Sequence, residues 1–134
     1  MRPLFSTILA AALVAGPSVS AKEKLTPDQQ LAKLLEGRVA GEPKDCIALS
    51  SVTNSQVIDK TAIVYRIGNT LWVNRPANPE ALDDDDVLVT KTIGSQLCSI
   101  DSVQLRDRSS HFWRGFVSLG AFVPYSKVKT AAGQ

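Results

Sequence analysis

The stretch TAIVYRIGNTLWVN, residues 61–74, decides the fold. "TAIVYRI" and "TLWVN" are runs of β-branched and aromatic residues, and Gly68-Asn69 between them is a two-residue hairpin signal. With a tight turn, Ile67 faces Thr70 and the register follows. Tyr65 then lies opposite Trp72 with Ile63 on the same face, while Val64 pairs with Val73 on the other. Such cross-strand pairs contribute about 0.2–1 kcal/mol each. Both faces carry apolar residues, so the spacing predicts a central hairpin rather than a solvent-facing one.

Outward from this hairpin, "CIALSSV" (46–52) and "SQVID" (55–59) read as short strands upstream. "VLVTKTI" (87–93), "SVQLR" (102–106) and "FVSLGAFV" (116–123) read as strands downstream. The prolines, asparagines and charge of "NRPANPEALDDDD" (74–86) predict a long loop, and "GRVAGEP" (37–43) a connection. Before the strands, "LTPDQQLAKLLEGR" (25–38) predicts a helix of about ten residues. Thr26 is its N-cap, Pro27 suits the first helical position, and Gln29 completes a capping box. Leu31, Leu34 and Leu35 share one face, and Gly37 offers a left-handed stop. A staple from Leu25 is imperfect, because its partner position holds Gln30. So short a helix must dock its leucine face to persist. The fold class is α+β: an N-terminal helix followed by a mostly antiparallel small sheet or barrel of about six or seven strands. Short connections favour antiparallel pairing.

The N-terminus predicts export. Arg2 supplies a positive n-region, Leu4 to Ala15 is nearly unbroken apolar sequence, and Gly16-Pro17 breaks any helix. "SVSA" then places Val19 and Ala21 at the −3 and −1 positions of a cleavage site, with the cut after Ala21. About a dozen apolar residues are too few to span ~30 Å of hydrocarbon. Of the 134 residues, removal of the first 21 leaves 113, a length suited to one domain, residues 22–134. The expected location is the periplasm or the exterior, with no transmembrane segment after processing. The full chain has 15 Lys+Arg, 13 Asp+Glu and a single histidine, and cleavage removes only Arg2 from that balance. Near-neutral charge argues against a nucleic-acid binder.

Cys46 and Cys98 are the two cysteines. In an oxidising compartment an even count reads first as a disulfide, with free thiols and redox chemistry as the alternatives. A zinc site lacks ligands, since His111 stands alone and no C-x-x-C or H-x-x-x-H spacing occurs. No cofactor or metal is expected.

Asp83 to Asp86 invite a calcium reading, but EF-hand spacing and its closing glutamate are missing. In an extended chain four consecutive aspartates would point alternately to opposite sides, which suits hydration. Nucleophilic catalysis has serines and aspartates but only His111 as imidazole, and no G-x-S-x-G. No catalytic residue is nominated. The remaining candidate is "LRDRSSHFWRGF" (105–116), where Arg106, Arg108 and Arg114 surround His111, Phe112 and Trp113. Arginine and aromatic side chains together bind anions and stack on planar groups. The plainer reading has the aromatics folding back onto the core, because large aromatics usually bury.

Four pieces carry a resemblance: "GRVAGEPKDCI" (37–47), "VIDKTAIVYRIGNTLWVNRP" (57–76), "LCSID" (97–101) and "LGAFVPY" (119–125). Together they resemble a family of small exported proteins of Gram-negative bacteria, catalogued as a domain of unknown function. The resemblance implies an envelope or secreted location and no established activity. Members of that family often carry two further cysteines, near Pro79 and at Val117 in this numbering. The joint absence of both here implies that they partner each other, which leaves Cys46 and Cys98 as the other pair. Two function classes follow as expectations. The first is a non-catalytic binding or interaction module for an anionic envelope component or another envelope protein. The second is a hydrolase acting on envelope material.

Overall fold

A computed structural model describes residues 13–16 and 24–128. The expected signal peptide and its cleavage site fall largely on 1–12 and 17–23, outside the described residues. Among the described residues no helix is long and apolar enough to cross a membrane.

The chain enters through α1 (Pro27–Leu34), eight residues rather than about ten. Its start is a complete capping box: the Thr26 hydroxyl accepts from the Gln29 N–H at 3.3 Å, and the Thr26 N–H donates to Gln29 Oε1 at 3.0 Å. Where a staple would place an apolar side chain, Gln30 donates instead to the Leu25 carbonyl at 3.0 Å. Gly37, at φ +74°, turns the chain out of the helix.

Ten strands follow among the described residues: β1 (Arg38–Ala40), β2 (Cys46–Ala48), β3 (Val52–Ile58), β4 (Ala62–Ile67), β5 (Thr70–Asn74), β6 (Asp86–Thr90), β7 (Gln96–Cys98), β8 (Ser102–Asp107), β9 (Trp113–Ser118) and β10 (Phe122–Lys127). They form a five-stranded sheet in the order β1-β10-β5-β4-β3, a pair β2-β7, and a three-stranded sheet β6-β8-β9. Every pairing is antiparallel. The hairpin β4-β5 sits inside the large sheet with the expected register, Ile67 opposite Thr70, Tyr65 opposite Trp72 and Val64 opposite Val73.

Both faces of that sheet are covered. Ile63 and Tyr65 join Ile47, Val57, Leu97, Val103, Leu105, Val117 and Phe122 in the main core, between the large sheet and the two smaller ones. Tyr65 packs edge-on to Phe122 with ring centroids 5.9 Å apart. On the opposite face Leu31 of α1 packs on Ile58, Ala62, Val64, Leu71 and Val73. The helix therefore caps one side of the sheet and owes its stability to that docking.

The sheets do not close into a barrel, and there are more strands than six or seven. The "GRVAGEP" connection contributes β1, a three-residue strand against β10. β7 is an added three-residue strand. "CIALSSV" is interrupted by a 3-10 turn at Leu49–Ser51. "FVSLGAFV" splits into β9 and β10 at Gly120, whose N–H donates to Asn74 Oδ1 at 2.9 Å and whose carbonyl accepts from Asn74 Nδ2 at 2.7 Å. A Cβ on Gly120 would lie 2.6 Å from the Arg75 carbonyl oxygen, so only glycine fits this approach. The loop from 74 to 86 holds a 3-10 turn at Pro79–Ala81, and its last aspartate already belongs to β6.

Candidate functional site

The region 105–116 is the β8-β9 hairpin. Asp107 shapes its loop: one carboxylate oxygen accepts from the Ser109 N–H at 2.9 Å, the Ser110 N–H at 2.7 Å and the Ser110 hydroxyl at 3.0 Å. Those bonds, Ser110's first, hold its carboxyl below the usual aspartate range. His111 sits at φ +62° and donates its N–H to the Asp107 carbonyl at 2.8 Å. Arg106 donates to the His111 carbonyl at 3.2 Å.

A bulge then decides what faces solvent. The register runs Val103 opposite Val117 and Leu105 opposite Gly115, then jumps to Arg106 opposite Trp113. Arg114 is the extra residue, and Gly115 takes φ +131°. Val103, Leu105 and Val117 point into the core. Gln104 with Phe116 and Arg106 with Trp113 form two neighbouring pairs on the outer face. Phe112 is 75% exposed, Trp113 60% and Phe116 50%. The aromatics do not fold back onto the core.

The bulge sends Arg114 the other way. Its guanidinium meets Asp86 Oδ1 at 3.1 Å and Asp83 Oδ2 at 3.3 Å. Arg108 reaches Asp85 Oδ1 and the Asp86 carbonyl, each at 3.5 Å. Two of the three arginines are thus engaged by the aspartate run. Among the described residues Arg106 has no carboxylate within 4 Å.

The aspartates are not four equivalent hydrated groups. Asp83 accepts the Asp85 N–H at 2.9 Å, and this bond, followed by Arg114, holds its carboxyl low. Asp86 has a fully buried side chain, and burial pushes its carboxyl up against the opposing pull of Arg114. Its Oδ2 has no hydrogen-bond partner among the described residues. The reading of the run as hydrated fails at Asp86, because β6 begins there and its side chain turns inward. Carboxylates of Asp59, Asp83 and Asp84 lie within 4.8 Å of one another, but Lys60 at 3.6 Å from Asp59 and Arg114 at Asp83 already offset their charge.

Cys46 and Cys98 stand opposite each other on β2 and β7 and are joined by a disulfide, with Cα atoms 4.0 Å apart. The bond ties this two-stranded pair together rather than clamping the five-stranded sheet directly. His111 makes only main-chain hydrogen bonds among the described residues, so no serine or carboxylate orients its imidazole. Gln104 and Phe116 complete the outer face and were not legible as site residues. Alternation about Val103 and Leu105 puts Gln104 outside, but the bulge that adds Trp113 to the same face has no sequence signature beyond Gly115.

Comparison with protein-family models, curated proteins and solved structures finds no match to this chain.

Proposed function

We propose that this is a small exported protein, residues 22–134 after cleavage at Ala21, acting in the periplasm or outside the cell as a non-catalytic binding module. The reading includes the resemblance to exported Gram-negative proteins of the unknown-function family. One observation carries the binding role: Phe112, Trp113 and Phe116 are exposed together on one hairpin, beside Arg106, whose guanidinium has no carboxylate partner among the described residues. A lone exposed aromatic is ordinary, whereas three together suit a surface that is covered in use. The ligand is an anionic envelope component, with the rings stacking on or inserting beside it and Arg106 meeting a phosphate or carboxylate.

Because Arg108 and Arg114 are held by aspartates, the aromatics supply most of the grip. Sedimentation with anionic vesicles and with cell-wall fragments tests this. Wild-type protein should cosediment with one of them at low salt, and Trp113→Ala with Phe116→Ala should abolish it. Arg106→Ala should weaken binding and flatten its dependence on salt, since exposed charges are screened beyond about 10 Å at 0.1 M. Absence of cosedimentation with both materials would overturn the reading. The rival, a hydrolase of envelope material, has no observation in its favour around His111.

A further inference from the structure

The two ends of the five-stranded sheet differ. At one end β1 has three residues and carries Arg38, a blunt edge. At the other, β3 has seven residues, and Thr53, Asn54, Ser55 and Gln56 are exposed without a charge or a proline among them. Its only irregularity is a register shift between Val52 and Asn54, which leaves 54–58 regular. Long, uncharged, regular edges are those most prone to accept another strand.

The tight turn fixes which groups are free. Ile67 and Thr70 flank the two-residue turn and exchange both hydrogen bonds, so on β4 Tyr65 and Ile63 bond toward β5 and Val64 toward β3. On β3, Gln56 therefore bonds back to Val64, while the N–H and C=O of Ser55 and Val57 point away from the sheet. No hydrogen bond to those outward groups occurs among the described residues. They open into a cleft of about 510 Å³, with Gln30 of α1 on one lip and Val87, Leu88, Asp84, Asp86 and Arg108 on the other.

We propose that this edge is a strand-addition site for an extended peptide segment bearing a basic side chain. Outward backbone donors and acceptors two residues apart match only another extended backbone. Asn54–Val57 corresponds to about 13 Å of strand at ~3.3 Å per residue. The charge preference comes from the Asp84 end. There Asp59 and Asp83–Asp86 outnumber the nearby cations Lys60, Arg108 and Arg114, and Asp84 itself has no ion-pair partner among the described residues. A second copy of this chain fits less well, because its own α1 and β6 lips would meet these. This site is separate from the aromatic face of β9, and either can fail without the other.

The probe is a fluorescein-labelled peptide of alternating valine and threonine with one terminal lysine, titrated against the folded protein by fluorescence anisotropy. Saturable binding is expected. A version N-methylated at alternate main-chain nitrogens should bind about tenfold or more weakly, the loss of one or two hydrogen bonds. Ser55→Pro removes only an outward N–H on an edge strand, which edge strands tolerate, and should weaken binding similarly. Asp84→Lys should weaken the lysine peptide and leave a lysine-free peptide unaffected. No saturable binding, or equal binding of the N-methylated peptide, overturns the proposal. So does a dimer in sedimentation velocity that Ser55→Pro dissociates, since a second copy would then be the occupant.

Discussion

Arg114 lies 3.1 Å from Asp86 Oδ1, reaching from the bulge of β9 to the first residue of β6 across the intervening strand β8. The pair is unequal, because the Asp86 side chain is fully buried and that of Arg114 is 40% exposed. It ties the two outer strands of the small sheet together and turns Arg114 away from the outer face that carries Trp113 and Phe116. Arg114→Ala should leave a buried carboxylate without its cation and lower stability, by less than the loss of a fully buried pair would, because Arg114 is partly solvated. Chemical denaturation checks the loss, and adding Asp86→Asn to Arg114→Ala should recover part of it.

The same carboxyl sets a pH dependence of unusual sign. Burial raises the folded-state pKa of Asp86, so the folded protein holds its proton more tightly than the unfolded chain does. Its contribution is full below the unfolded value near about 3.9 and declines as pH rises through the folded value. Asp83 and Asp107 are shifted down and act oppositely, losing their contribution as pH falls through their lowered values. Thermal midpoints of Asp86→Asn and wild type, measured from pH 3 to pH 7, should differ most in slope just above the ordinary aspartate pKa. There the wild type should lose relative stability with rising pH and the variant should not.

The disulfide closes a loop with a sequence separation of 52, and the chain-entropy account gives about 4 kcal/mol for such a loop. Cys46→Ser with Cys98→Ser should lower the urea midpoint by up to that equivalent. Wild-type protein should show no free thiol until reductant is added. Because β2 and β7 are only three residues each, hydrogen exchange at Ile47 and Leu97 should quicken first on reduction.

The Tyr65 hydroxyl and the Trp72 indole N–H are buried without hydrogen-bond partners among the described residues, and they sit on directly opposed residues. Tyr65→Phe keeps the ring against Phe122 and removes one unpaired polar atom. It should raise stability by about 1 kcal/mol, read as a higher denaturation midpoint.

What the chain reveals by itself tracks how local the cause is. The β4-β5 register was readable because Gly68-Asn69 and the apolar runs beside it determine it without help. The cap at Thr26 and the stop at Gly37 are equally local. β1 and β7 were not readable, because each has three residues and exists only through its partner, β10 and β2 respectively. Asp86 was hidden among three aspartates of identical side chain, separated from them only by the start of β6. The exposure of Trp113 and Phe116 runs against the ordinary burial of aromatics, and it depends on a bulge that no periodicity marks. Arg108 and Arg114 fall on the suggested surface in sequence, yet the fold points them at carboxylates far upstream.

Gly120 is the sharpest such case, and it yields the last prediction. "FVSLGAFV" has the composition of one continuous strand, but Asn74, 46 residues earlier, holds both backbone groups of Gly120. Asn74 is completely buried, and its amide spends one donor and its carbonyl on this clamp. Asn74→Ala would leave the partly buried N–H and C=O of Gly120 without their partner, at no more than about 1–3 kcal/mol for each. Gly120→Ala would force its new methyl against the Arg75 carbonyl oxygen, 2.6 Å away, so the backbone must move and the clamp must loosen. Both variants should therefore destabilise, and the double variant should cost less than the two losses added, because each already breaks the same contact. Urea denaturation of the four proteins measures that coupling. Additive losses would mean that the clamp and the close approach are independent, and that something other than Asn74 turns the chain between β9 and β10.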